Sequence, residues 1–197
     1  MTMKTDIILA GVGGQGILSI AAIIGHAAVE AGLHLKQAEV HGMSQRGGDV
    51  QSHLRLADAP IYSDLIPGGS ADLIVSVEPM ESLRYLPYLG ERGWLITNTK
   101  PFVNIANYPD PEALLSAIRA LPRRILLDAD QMAKEAGAPR AMNMVMLGAA
   151  SPFIEIAYEQ MQNGIREIFG RKGEAVVAAN LQALEAGRAL ALRQRGA

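Results

Sequence analysis

The sequence of 197 residues contains no cysteine. Without thiols these residues cannot form a disulfide, a zinc site held by thiolates, a cysteine nucleophile or a cysteine-ligated iron–sulfur cluster. If the protein takes part in electron transfer through such a cluster, another chain must hold the cluster.

Charged residues are also scarce, at 19% of the chain, whereas hydrophobic residues make up 49%. Globular domains typically contain about 25% charged residues, so we expect part of the apolar surface to face a partner. Such a surface also allows the isolated chain to form a homodimer. The net charge of −2 provides no basic field for a phosphate backbone, so we expect no nucleic-acid partner.

Long hydrophobic runs are missing too. The longest apolar stretch, residues 17–24, is interrupted by Ser19, and a bilayer-spanning helix needs about 20 apolar residues. The first eleven residues lack the length and cleavage pattern of a signal peptide. We therefore expect a cytoplasmic protein with no membrane contact, built as a single domain over residues 1–197.

Short apolar runs that are typical of buried strands alternate with helical stretches. This alternation predicts an α/β fold of Rossmann-like type, with a mainly parallel sheet and helices on both faces. The predicted strands cover residues 6–10, 33–40, 50–56, 73–77, 94–97 and 125–128.

Helix signals complete this prediction. Apolar residues at spacings of three and four predict a first helix over residues 16–31, which Gly32 ends. Asp110 can cap a second helix, Pro111 suits its first position, and Pro122 is expected to end it. Apolar spacings beyond residue 154 predict a pair of packed amphipathic helices at the C-terminus.

A glycine-rich segment follows the first predicted strand and opens the first helix. Gly11, Gly13 and Gly16 form the pattern G-x-G-x-x-G, and Glu39 ends the second strand, where a ribose-binding acid lies in dinucleotide-binding folds. The turn aims backbone N–H groups at an anion. Two interpretations remain open: a bound nucleotide, or glycines that serve only close packing of strand and helix.

A second polar segment, residues 39–49, follows the second strand and lies in the usual ligand crevice of this architecture. Arg46, followed by Gly47 and Gly48, offers a guanidinium and exposed amides to a carboxylate or phosphate. The alternative is that the glycines merely turn the chain and that Arg46 pairs with Asp49 or Glu39.

Other candidates are less specific. The four histidines show no metal-ligand spacing and the serines no nucleophile elbow, so we predict no metal site and assign no catalytic residue. Residues 78–81 are expected to face solvent, with lining of the crevice as the alternative. Asn143 is either a helix cap or an amide that faces a ligand.

Three segments, residues 11–17, 40–48 and 143–148, together resemble the gamma-domain family of pyruvate and other 2-oxoacid:ferredoxin oxidoreductases. The segment 41–48 is most similar to the branch of this family that acts on indolepyruvate. The resemblance extends over nearly the whole chain. Three segments in this order are a more specific signature than a glycine turn alone.

The resemblance implies a division of labour between two chains. A large (alpha) subunit holds thiamine diphosphate, Mg and the [4Fe–4S] clusters, and this chain binds no cofactor firmly. The reaction is oxidative decarboxylation of indolepyruvate or another aryl-2-oxoacid, with coenzyme A as acyl acceptor and ferredoxin as electron acceptor.

The resemblance also implies a set of site residues in this chain that face the substrate, coenzyme A or the partner's active site. They are Gly13, Gly14, Gln15, Ser44, Gln45, Arg46, Gly47, Gly48 and Asn143.

Three alternatives stay open. The first keeps the family but changes the substrate to pyruvate, 2-oxoglutarate or a branched-chain oxoacid. The second is a free-standing NAD- or FAD-binding oxidoreductase, which the glycine pattern and Glu39 favour. The third is a purely structural or regulatory module.

Overall fold

The computed structural model describes residues 3–42 and 48–196, apart from the side chain of residue 41. The strands are β1 (Lys4–Val12), β2 (His34–His41), β3 (Asp49–Ala57), β4 (Ala71–Ser76), β5 (Leu89–Asn98) and β6 (Arg124–Leu127). The helices are α1 (Ile17–Glu30), α2 (Pro79–Arg84), α3 (Pro111–Arg119), α4 (Ala129–Glu135), α5 (Met142–Ala150), α6 (Tyr158–Phe169) and α7 (Glu174–Arg195).

The strands form one sheet in the order β2-β3-β1-β4-β5-β6. β1, β4, β5 and β6 pair in parallel, whereas β3 runs antiparallel to both of its neighbours, β1 and β2. Only β3 is therefore reversed, and the prediction of a mainly parallel sheet is confirmed.

Two apolar cores cover the faces of the sheet, as the alternation of side chains along β1 illustrates. Ile7 and Leu9 point into a large core formed with α1 and with helices from α4 onwards. Ile8 and Ala10 point into a smaller core on the other face, which includes Ile118 of α3. Helices on both faces are therefore confirmed.

Two helices, α1 and α3, begin where the sequence predicts. α1 begins and ends within one residue of its predicted bounds. Asp110 caps α3, because its Oδ2 accepts a hydrogen bond of 3.0 Å from the Ala113 N–H, and Pro111 is the first residue of that helix.

The C-terminal helical pair is present as α6 and α7, but each helix has a more extensive partner elsewhere. α7 packs mainly along α5, and α6 packs along α1. Gly148 and Gly187 make the first contact possible: a Cβ atom on Gly148 would lie 1.9 Å from the Leu184 carbonyl oxygen, and one on Gly187 would lie 1.9 Å from that of Val145. The backbones of α5 and α7 touch here because neither glycine has a side chain.

Within the described ranges, 3–42 and 48–196, no helix combines the length and apolar character that crossing a membrane requires.

Candidate functional site at the carboxyl edge of the sheet

The parallel strands bring several connections to one edge of the sheet. β1, β4, β5 and β6 all end here, and β3 begins here because it runs in the opposite direction. The carboxyl edge of an open α/β sheet is where such folds usually bind ligands. The connections that follow β1, β2, β4 and β5 therefore contain the candidate site residues.

The glycine turn between β1 and α1 depends on backbone conformations that glycine adopts freely. Gly14 and Gly16 have φ values of +97° and +81°, in the left-handed region. Gly11 has a different role, because a Cβ atom there would lie 2.3 Å from Cγ2 of Val77. The glycines thus provide both a tight turn and close packing.

Hydrogen bonds brace this turn from within and from the neighbouring loop. The Val12 N–H donates to Oε1 of Gln15 at 2.8 Å, and the Gly13 N–H donates to the Gly48 carbonyl oxygen at 2.8 Å. Gly13, Gly14 and Gln15 line a cleft of about 300 Å³. The Gly13 N–H is therefore already hydrogen-bonded to the chain itself, and the side-chain oxygen of Gln15 accepts a hydrogen bond from the turn.

Asn143 lies beside the same turn but does not cap α5, since the residue at the cap position is Ala141. Its Nδ2 instead donates to the Gly16 carbonyl oxygen at 3.2 Å. A Cβ atom on Gly16 would lie 2.6 Å from that nitrogen. Asn143 therefore joins the first turn of α5 to the start of α1, a contact between residues 127 positions apart.

Ser44, Gln45, Arg46 and Gly47 of the predicted site lie outside the described residues. The two ends of their loop are described. The Gly42 N–H donates to the Asp49 carbonyl oxygen at 2.9 Å, and Gly48 accepts from Gly13 as noted above. These hydrogen bonds place both ends of the loop directly beside the glycine turn.

Glu39 does not occupy the position that dinucleotide binding requires. In such folds the acid ends a strand that is parallel and adjacent to the glycine-turn strand. Here β3 separates β2 from β1, and the Glu39 carboxylate accepts a hydrogen bond of 3.3 Å from Gln37. The strand order thus argues against the dinucleotide interpretation.

Glu78 corrects the expectation that residues 78–81 face solvent. Its side chain is fully buried and caps α2 by accepting a hydrogen bond of 2.9 Å from the Glu81 N–H. The same carboxylate accepts from the Phe102 N–H at 3.3 Å and from the Tyr108 hydroxyl. Glu78 therefore fixes both ends of the connection that follows β5. The signal in the sequence was Glu78-Pro79, a cap residue followed by a proline at the first helical position.

Burial also affects the titration of neighbouring groups. Desolvation raises the pKa of Glu81, and the hydrogen bond and charge of Arg84, whose Nε lies 2.7 Å from Glu81 Oε2, partly offset this increase. Desolvation and the hydrogen bond to Glu78 raise the pKa of Tyr108. Tyr108 therefore remains a neutral hydrogen-bond donor at physiological pH.

Asn98 at the end of β5 was missed from the sequence. Its Nδ2 donates to the Val77 carbonyl oxygen at 3.3 Å and to Asp130 at 3.0 Å, and its Oδ1 accepts from the Ala129 N–H at 3.0 Å. A single amide thereby joins the ends of β4 and β5 to the start of α4. Local sequence gave no signal, because these partners are up to 32 residues away.

The described part of this edge is organised by backbone N–H groups, amides and buried carboxylates. Within residues 3–42 and 48–196 no cluster of three or more His, Cys, Asp or Glu could hold a metal ion. A mainly parallel six-stranded sheet with helices on both faces and a cleft at the glycine turn defines the class of this protein: a Rossmann-like α/β domain.

Comparison with known proteins identifies the family. The profile of the pyruvate ferredoxin/flavodoxin oxidoreductase family matches residues 6–190. The chain therefore belongs to this family, as the resemblance in its sequence predicted.

Two individual relatives are similar over more than nine tenths of their length. The chain is 37% identical to indolepyruvate oxidoreductase subunit IorB of Archaeoglobus fulgidus over 94% of both chains, and 36% identical to the subunit of the same name from Thermococcus kodakarensis, over 92% and 93% of the two chains. A solved structure, 2-oxoglutarate:ferredoxin oxidoreductase from Magnetococcus marinus with 2-oxoglutarate, coenzyme A and succinyl-CoA bound, matches with a TM-score of 0.76 at 25% identity. That match covers 96% of this chain and 31% of the other.

Proposed function

We propose that this chain is the small subunit of an indolepyruvate:ferredoxin oxidoreductase. The observation that carries the proposal is the 37% identity to an indolepyruvate oxidoreductase subunit over 94% of both chains. The reaction converts a 2-oxoacid, coenzyme A and two oxidised ferredoxins to an acyl-CoA, CO₂, two reduced ferredoxins and a proton.

The residues of this chain do not fit the cofactors of that reaction. Cysteine-ligated [4Fe–4S] clusters have no ligands here, because the sequence contains no cysteine. The described residues also include no carboxylate or histidine cluster for the Mg of thiamine diphosphate. We therefore assign thiamine diphosphate, Mg and the clusters to a large subunit and derive no chemical step on this chain.

The proposed role of this chain is to close the active site of the large subunit. The carboxyl edge would face that site, with the cleft formed by Gly13, Gly14 and Gln15 and the loop from Ser44 to Gly48 nearest the substrate or coenzyme A. Asn143 would hold the glycine turn in position, which its hydrogen bond to Gly16 supports. Such a wall orients substrate and excludes water.

Co-expression with the large subunit tests the proposal. The purified pair should reduce ferredoxin or a viologen dye with indolepyruvate in a coenzyme A-dependent reaction, and neither chain alone should do so. Full activity of the large subunit alone would instead favour a structural or regulatory module. Tight NAD or FAD binding without complex formation would favour a free-standing oxidoreductase.

Arg46→Ala tests the loop. We expect activity to fall by about tenfold or more while assembly persists, because one charge-assisted hydrogen bond contributes about 1.5–3 kcal/mol. Arg92→Ala, near the amino end of β5, is the matched control and should leave activity within about twofold. If Arg46→Ala were as active as the control Arg92→Ala, Arg46 would have no role in the site.

A second candidate substrate comes from the 2-oxoglutarate enzyme that shares this fold at 25% identity. Assays of the complex with indolepyruvate, phenylpyruvate, pyruvate and 2-oxoglutarate should rank the substrates by kcat/KM. A preference for 2-oxoglutarate would leave the subunit role intact and change only the substrate.

A further inference from the structure

The two outer strands of the sheet differ in what covers them. β6 is the outer strand on one side, and there the Gln194 side chain forms hydrogen bonds with both the N–H and the carbonyl oxygen of Leu126, at 3.3 and 3.0 Å. β2 is the outer strand on the other side, and among the described residues β3 is its only strand neighbour. We call the outward side of β2 the β2 edge. An outer strand presents a row of N–H and C=O groups with which another strand can pair.

The register between β2 and β3 identifies the backbone groups at the β2 edge. The Gly42 N–H donates to the Asp49 carbonyl oxygen at 2.9 Å, and these two residues continue the register of β2 with β3. Hydrogen-bonded pairs alternate with non-hydrogen-bonded pairs in an antiparallel ladder, so every second residue of β2 turns its N–H and C=O away from β3. These outward residues are Leu35, Gln37, Glu39 and His41. Within the described chain, the outward backbone groups of Leu35 and Gln37 have no hydrogen-bond partner.

An exposed apolar face of α1 lies beside the β2 edge. Leu18, Ala22 and Val29 recur at helical spacings of four and seven residues, and Leu18 and Val29 are 51% and 67% exposed. Gly25 lies on the same face of the helix, and a Cβ atom there would lie 3.2 Å from Cδ2 of Leu35 in β2. This face is therefore turned toward β2. A partner that pairs with the β2 edge also meets an apolar helix surface.

We propose that a second copy of this chain docks at the β2 edge, with its own β2 antiparallel to the first. A two-fold axis normal to the sheet keeps every side chain on its own face of the sheet, so one residue of β2 must lie opposite the same residue of the second copy. The four outward residues are symmetric about Ala38. Centring the pair on Ala38 places Gln37 opposite Glu39 of the second copy. The same register places Leu35 opposite His41, so the outward groups of each strand face those of the other.

The side chains are complementary in this register. The Gln37 amide, a donor, lies opposite the Glu39 carboxylate, an acceptor, and each strand carries one cation, Lys36, for this one carboxylate. Lys36 lies opposite Val40 of the second copy, which is 57% exposed and which the lysine stem covers. The apolar faces of the two α1 helices then lie on the same side of the joined sheet and face each other across the axis. A second copy therefore covers both the strand and the helix face, independently of the function proposed above.

Cysteine crosslinking tests the register, because the sequence contains no cysteine. Ala38→Cys places two thiols at the axis, in a non-hydrogen-bonded pair whose Cα atoms lie about 4.5 Å apart, within the range of a disulfide. Oxidation should link most of this variant into a dimer on non-reducing electrophoresis. In the control Val40→Cys, on the same face of β2, the new thiol lies opposite Lys36, so this variant should run as a monomer. Equal crosslinking of both variants, or none in Ala38→Cys, would overturn the proposal.

Analytical ultracentrifugation measures the dimer without crosslinking, and the purified chain should sediment at twice its sequence mass. Gln37→Pro removes an outward N–H that β3 does not use, and proline is tolerated at such positions of outer strands. It should raise the dimer Kd by about tenfold or more, because the hydrogen bond is lost twice in the symmetric pair. Gln37→Ala keeps the N–H and should stay within about threefold of the parent. A monomeric parent chain, or equal Kd values for the two variants, would contradict the proposal.

A substitution on α1 tests the helix face without altering the strand. Val29→Glu should raise the dimer Kd by about tenfold or more, because it places an unpaired carboxylate in an apolar contact. Leu192→Glu, on an exposed position of α7, is the control and should stay within about threefold. If the chain alone were monomeric and Gln37→Pro impaired only assembly with the large subunit, that subunit would occupy the β2 edge and the dimer proposal would be wrong. Failure of the complex to act on any oxoacid would contradict the proposed function but leave the dimer result intact.

Discussion

At the scale of single residues, Glu78 shows how one buried carboxylate organises a connection far from it in sequence. It caps α2 and accepts hydrogen bonds from Phe102 and Tyr108, 24 and 30 residues away. Burial of a charged carboxylate is costly unless such donors surround it. The connection after β5 therefore depends on this side chain.

Glu78→Gln should lower the free energy of unfolding by about 1–3 kcal/mol, because an amide replaces a buried carboxylate that accepts hydrogen bonds from three donors. Urea denaturation of the purified chain measures the change. Glu112→Gln is the control, since Glu112 lies on the surface and pairs with Arg119 in solvent; such pairs contribute less than about 1 kcal/mol. Similar small effects of both substitutions would show that the Glu78 contacts contribute little.

His53 is a second residue with a specific contact. Its Nδ1 accepts a hydrogen bond of 3.0 Å from the Ile66 N–H, so this nitrogen must be unprotonated, and its ring meets the edge of Tyr88. Burial, and secondarily the charge of Arg55, lower its pKa below the usual 6.5, which Asp6 partly counteracts.

This lowered pKa predicts a loss of stability in acid. As the pH falls below 6.5, the unfolded chain binds a proton at this position before the folded chain does, so the free energy of unfolding decreases until the folded pKa is reached. His53→Asn, which retains an acceptor but does not titrate, should reduce the difference between urea midpoints at pH 7.5 and 5.5. His34→Asn, on the exposed strand β2, should leave that difference unchanged. If the urea midpoints of His53→Asn at pH 7.5 and 5.5 differed as much as those of the wild type, His53 would not be the titrating group.

At the scale of elements, the contact between α5 and α7 depends on two glycines. Backbone atoms of one helix occupy the space that a side chain on the other would need. Helices with larger residues at such positions must separate to about 8–10 Å between their axes. The large core beneath them would then lose its packing.

Gly187→Ala should lower the free energy of unfolding by about 1–3 kcal/mol or more, because the added methyl group would lie 1.9 Å from the Val145 carbonyl oxygen. Thermal or urea denaturation measures the loss. Gly170→Ala provides the control: its φ of −54° is helical and no atom lies within 4 Å of the added Cβ. A neutral Gly187→Ala would mean that the helices are not in backbone contact.

At the scale of the whole molecule, exposed apolar side chains lie at both edges of the sheet. Phe102, Val103 and Ile105 follow β5 at the carboxyl edge, whereas Tyr62 and Leu65 follow β3 at the opposite edge. The proposed function assigns the first group to the interface with the large subunit, since it shares an edge with the glycine turn.

Val103→Glu should therefore weaken assembly with the large subunit by about tenfold or more, because a buried, unpaired carboxylate destabilises an interface. Leu65→Glu places the same charge on another exposed apolar residue, at the opposite edge, and should leave the affinity nearly unchanged. Affinity measured by surface plasmon resonance distinguishes the two edges. If Leu65→Glu alone impaired binding, the amino edge would be the docking surface.

The sequence by itself determined the features that depend on neighbouring residues. Short apolar runs indicated all six strands, the glycine-rich segment from Gly11 to Gly16 indicated the turn after β1, and Asp110 with Pro111 indicated the start of α3. The ordered segments at residues 11–17, 40–48 and 143–148 also identified the family. These signals act within a few residues of the chain.

Tertiary structure alone decided which elements meet. It inserted β3 between β1 and β2, and so moved Glu39 away from the position of a ribose-binding acid. It buried Glu78 and bound Asn143 to Gly16. Local patterns fix where an element begins and which face is apolar, but contacts between residues tens of positions apart depend on the path of the folded chain.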